Sequence, residues 1–132
     1  MHGTNSITVK KILGFAAVVE IGTSLVLMIA PAFLVALLLG VVLSGEGIAV
    51  GRCFGITLLA LGVACWPSGQ RAEVSSTIVW AMLAYNALIA LYLAHLSTFR
   101  HLGGVLLWAG VVVHAVVAVL LFSTWRNERL AK

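Results

Sequence analysis

The chain has 132 residues, 62% hydrophobic and 9% charged, with a mean hydropathy of +1.15. Eight basic and four acidic residues cannot cover the surface of a soluble domain of this length, which leaves lipid as the solvent. The net charge of +4 gathers at the ends of apolar runs and not on one face, which argues against nucleic acid as a partner.

In chain order, four apolar runs stand out: Ile12–Ala30, Ile48–Trp66, Val74–Leu96 and Leu102–Trp125. Each is near the ~20 residues that cross the hydrocarbon as a helix. In lipid the backbone must satisfy its own hydrogen bonds, so helices are required. Pro31–Leu43 is a fifth apolar piece, too short to span. Joined to the first run it would make a helix of about 48 Å, longer than a bilayer core of ~30 Å, and Pro31 interrupts the helical ladder. It is expected in the outer interface, with Ser44-Gly45-Glu46-Gly47 turning the chain into the second span. The predicted fold is an all-α integral membrane domain: four transmembrane helices in a bundle, with a short interfacial segment between helices 1 and 2.

Lys10, Lys11, Arg71, Arg126, Arg129 and Lys132 fall on one side of these spans, and Arg100 is alone on the other. Positive residues stay inside, which predicts a multi-pass protein of the cell's inner (plasma) membrane with both termini cytoplasmic. Ala30-Pro31-Ala32 superficially resembles a signal-cleavage site. Glu20 in the middle of the run and the run's length weigh against one.

Ionisable residues inside a span are costly and usually turn into the bundle. Here they are Glu20, Arg52 and His114, joined by the uncharged Asn86. Glu20 lies eight positions past Ile12, Asn86 twelve past Val74 and His114 twelve past Leu102. At ~1.5 Å per residue all three reach the same depth near the midplane. Arg52 is four positions past Ile48, about 6 Å in. At helical spacing Glu20 shares a face with Ala16, Ala17, Thr23 and Ser24, His114 with Gly103, Gly110 and Ala118, Arg52 with Gly55 and Gly62, and Asn86 with Ala90. Small residues mark where membrane helices approach. These four side chains are the candidate ligand or proton site, with Arg52 as counter-charge to Glu20. The bland alternative is interhelical glue at ~0.6 kcal/mol per bond.

Other features carry less. Cys53 and Cys65 read as two buried thiols, and no metal-ligand or redox spacing occurs. Gly51-xxx-Gly55 reads as packing inside the bundle. Tyr85 and Tyr92 read as core and interface anchors. His95, Arg100 and His101 cluster in an outer loop, read as solvated. His114 has no second histidine at its depth to share a haem with it. No cofactor or metal is expected, and no nucleophile triad, P-loop or HExxH points to an enzyme.

A basic N-terminus and first span are followed by "APAFLVALLLG", "GRCFGITLLALGVACW", "AMLAYNALIALYLA" and a last span with a central histidine. That ordering resembles the small four-helix bacterial membrane proteins, DoxX-like in the broad sense. It implies a four-helix fold and a redox or accessory role, and it transfers no functional residue. "VVEIGTSLVLM" resembles the first helix of small multidrug-resistance exporters, with Glu20 at the place of their proton-exchanging glutamate. The later helices lack that family's aromatic and glycine-rich segments.

Three functions follow as expectations. The first is a midplane polar site that binds or moves a small solute or proton. The second is a non-catalytic accessory subunit of a larger membrane complex, and the third a DoxX-like redox helper. The lipid bilayer is the partner in each, with a membrane-protein partner or homo-oligomer left open.

Overall fold

The computed structural model describes residues 2–67 and 74–130. Arg71 and Lys132, counted above for orientation, lie outside the described residues. Within them, regular structure is α-helical throughout: α1 (His2–Ile29), α2 (Pro31–Leu39), α3 (Gly45–Ala64), α4 (Ser76–Arg100) and α5 (Leu107–Leu130). Four stretches, Ile7–Ile29, Gly45–Ala64, Ser76–Arg100 and Leu107–Asn127, are long and apolar enough to cross a membrane. This fits a multi-pass membrane protein.

The helix ends follow from local chemistry. α1 stops because Ala30 precedes a proline, which disfavours its helical conformation; it sits at φ −137°, ψ 62°. Pro31 then opens α2 at its first turn, where a missing N–H costs nothing. Gly40 closes α2 with φ 71°, a left-handed cap that glycine adopts without penalty. The segment expected at the interface is therefore helical over nine residues and without regular secondary structure from Val41 to Ser44. The Ser44 hydroxyl caps α3 by accepting from Gly47 N–H at 3.2 Å. The fourth span starts at Leu107, not Leu102 as expected, because Gly103 and Gly104 belong to the connection.

The long helices form two antiparallel pairs. α1 meets α3 with Gly55 against Ser24, Leu27 and Met28, and Gly62 against Ala17 and Ile21. A methyl group at Gly62 would stand 2.8 Å from Ile21 Cγ1, so the approach needs glycine. The glycine motif thus packs within the bundle. α4 meets α5 with Trp80 edge-on to Trp125, ring centroids 4.9 Å apart, and with Gly110 beside Leu93. The pairs join along α1 and α5, around buried Leu13, Ala17, Met82, Val117 and Leu121. At the far end, Gly104 N–H donates to Leu38 O and Leu106 N–H to Leu37 O, both at 2.9 Å. The α4–α5 connection thereby satisfies carbonyls that α2 leaves open.

Two placements correct the sequence reading. Cys53 is exposed, and only Cys65 is a buried thiol. Cys53 lies on the side of α3 opposite Gly51, Gly55 and Gly62 at ~100° per residue, and α1 covers only the glycine side. Gly103, assigned to the His114 face, is exposed in the connection before α5.

Candidate polar site between α1, α4 and α5

Glu20 projects from the middle of α1, flanked one turn away by Ala16, Ala17 and Ser24. All of these are buried, and Glu20 itself is 1% exposed. The small neighbours leave room for other helices to approach the carboxyl. Asn86, also 1% exposed, comes from α4, and His114 comes from α5.

The three side chains meet. His114 Nδ1 lies 2.8 Å from Asn86 Oδ1 and 3.9 Å from Glu20 Oε1. Asn86 Nδ2 donates to Met82 O at 2.9 Å, one turn back on its own helix. The Tyr85 hydroxyl donates to Glu20 Oε2 at 3.0 Å. The Tyr85 and His114 rings stand edge to face, with centroids 5.7 Å apart and planes at 83°. A continuous path of polar contacts thus runs Tyr85–Glu20–His114–Asn86 across three helices. Among the described residues every buried side-chain nitrogen or oxygen has a hydrogen-bond partner, as burial in lipid demands.

Arg52 is not part of this group. It is exposed on α3, and among the described residues no hydrogen bond or ion pair joins it to Glu20. The cause is angular. α3 turns Gly55 and Gly62 toward α1, with buried Leu58 between them, and at ~100° per residue Arg52 sits about 90° round from that face. Sharing a helix with a buried stripe did not place it on the stripe.

Tyr85 is the residue the sequence reading missed, having been read as a core anchor. Its signal was present: a phenol beside Asn86, one residue from the carboxyl's depth, inside a span where a hydroxyl needs a partner. Ser24 is fully buried, but its hydroxyl is spent on Ile21 O at 2.8 Å and adds no contact to the site.

The site therefore offers a carboxyl, an imidazole, a phenol and an amide in an apolar surround. The side chain of Glu20 is 2% exposed and that of His114 14%, so the imidazole is the more accessible of the two titratable partners. No family model, curated protein or solved structure matches the chain.

Proposed function

We propose that this chain is a small multi-pass protein of a bacterial inner membrane that binds and releases a proton, or a small solute carrying one, at Glu20. The observation that carries this reading is the company the buried carboxyl keeps. Its neighbours are a phenol and an imidazole, and the span arginine is elsewhere. A fixed arginine would hold the carboxylate ionised and paired. Neighbours without a fixed charge let a carboxyl exist in either protonation state, as a relay or transport group must. Tyr85 holds the carboxyl in place, and His114 is the second group that can take a proton. The basic ends of α1 and α5 face the cytoplasm in this reading.

The test is a reconstitution. Proteoliposomes carrying a pH-sensitive dye inside receive an external pH step, with the wild-type protein, with Glu20→Gln, and with no protein. Glu20→Gln keeps shape and hydrogen bonding and removes titration. The expected result is faster equilibration with wild-type protein and the protein-free rate with Glu20→Gln. Equal rates for wild type and Glu20→Gln would reduce Glu20 to interhelical glue.

A second reading, an accessory subunit of a larger membrane complex, is favoured by the exposed Arg52 on a span that packs against α1 on one side only. The neighbouring exposed Cys53 gives its test. A crosslinker attached there should capture one stoichiometric membrane partner in native membranes, and capture of lipid alone would remove this reading.

A further inference from the structure

We infer that Asn86 is the positioning residue of this site: it holds His114 in the tautomer with hydrogen on Nδ1 and so makes Nε2 the atom where the imidazole takes up a proton. The inference deepens the proposed function and rests on the reading that the site handles protons.

The argument is one of donor and acceptor identity. The Asn86 amide has one edge against Met82 O at 2.9 Å. A backbone carbonyl can only accept, so that edge is the NH2 group. The opposite edge is then the amide oxygen, and it faces His114 Nδ1 at 2.8 Å. An amide oxygen also can only accept, so Nδ1 carries the hydrogen. In a neutral imidazole the other nitrogen must then be bare. The orientation is anchored in the backbone of α4, since Met82 is one helical turn from Asn86.

The surroundings agree with this assignment. From α1 the imidazole meets Glu20 Oε1 at 3.9 Å, too far for a hydrogen bond, so Nδ1–H is committed to Asn86. From α4 it meets the edge of Tyr85, whose hydroxyl hydrogen is already given to Glu20 Oε2. The buried Cys65, just past the end of α3, belongs to the same core, and Arg52 stands apart on the exposed side of that helix. None of these supplies a stronger acceptor at Nδ1. When the ring takes up a proton from the medium, the new N–H bond forms with the Nε2 lone pair. Nδ1–H stays on Asn86, and the resulting positive charge lies beside Glu20. The same proton leaves from Nε2. Proton entry and exit thus occur at the edge of the ring away from Asn86, while the amide keeps the imidazole from turning its N–H onto the carboxylate.

Nitrogen-15 NMR of histidine-labelled protein in lipid nanodiscs reads the tautomer directly. A His114→Gln spectrum identifies the His114 signals among the four histidines. At a pH where the ring is neutral, the wild type should show Nδ1 protonated and Nε2 bare. Asn86→Asp keeps an acceptor oxygen at the same place and should keep that tautomer. Asn86→Ala removes the acceptor and should give a mixture or the reverse. A wild-type ring protonated on Nε2 overturns the inference, and so does an unchanged tautomer in Asn86→Ala. If Asn86→Ala does not fold, the wild type and Asn86→Asp still decide. Loss of the proteoliposome response with the Nδ1–H tautomer confirmed would sink the proton-handling reading and leave the role of Asn86 standing. A proton response with the wrong tautomer would do the opposite.

Discussion

Tyr85 and Glu20 lie on different helices, 65 positions apart in the chain, and join by a hydrogen bond of 3.0 Å from the phenol to Oε2. The bond ties α4 to α1 at the point where the two helix pairs meet. Tyr85→Phe removes the donor and leaves Oε2 buried without it, a loss of about 1–3 kcal/mol for an orphaned polar group. Unfolding in mixed micelles should show a destabilisation of that size. The same change in a Glu20→Leu background should cost clearly less, because the acceptor is gone. Equal losses in both backgrounds would mean that the bond contributes nothing.

Arg52 gives a contrasting expectation. It is exposed on α3, and among the described residues no hydrogen bond or ion pair joins it to Glu20, so Arg52→Leu should not show the loss of about 3–5 kcal/mol that follows from breaking a buried ion pair. A double-mutant cycle with Glu20→Gln should be additive within a few tenths of a kcal/mol. Coupling above about 1 kcal/mol would show that the two charges meet after all.

The contrast between these two residues shows what was legible in the sequence. Depth was legible, because helical rise is constant, and Glu20, Asn86 and His114 do share one level. Azimuth was not. Gly55 and Gly62 marked a packed face correctly, yet Arg52 three residues before Gly55 is about a quarter turn away from it. Tyr85 was missed because an aromatic in an apolar run looks like packing until its hydroxyl is followed to a partner. The helix boundaries failed for another reason. Leu102 and Val105 are as apolar as the span they precede, and hydropathy alone cannot separate them from it, although Gly103-Gly104 is a turn signal. The proline break after Ala30 was readable because its cause is local and steric.

His101 ends α4 in a left-handed conformation, φ 52° and ψ 27°, with its exposed side chain on the surface. An L-residue other than Gly, Asn or Asp pays roughly 1–2 kcal/mol there, while glycine brings an entropic cost of about 0.5–1 kcal/mol. His101→Gly should therefore raise stability, by up to about 1 kcal/mol, and His101→Val should lower it. A thermal shift series over Gly, Asn, His and Val, falling in that order, is the expected outcome. No change from His to Val would show that the cap relaxes freely.

The last expectation concerns the latch between α2 and the α4–α5 connection. Gly104 and Leu106 donate to Leu38 O and Leu37 O at 2.9 Å each, and the fit is tight enough that a methyl on Gly104 would collide with the Leu37 carbonyl and come within 2.7 Å of Ala36 O. Backbone on backbone cannot yield by a rotamer change, so Gly104→Ala must push the connection away from α2 and break one or both bonds. Each break exposes or orphans a carbonyl at the end of α2 at a cost of about 1–3 kcal/mol, and overpacking adds a similar amount. The expected loss is about 2–4 kcal/mol in micelle unfolding. Gly103 is the internal control: it is adjacent, and a methyl there would meet nothing within 4 Å, so Gly103→Ala should be nearly silent. Amide hydrogen exchange separates the causes, since Gly104→Ala should raise exchange at Leu106 while the α1–α3 interface around Gly55 and Gly62 stays protected. Equal, small effects of the two alanines would show that the latch has slack and that α2 is held by its side chains alone.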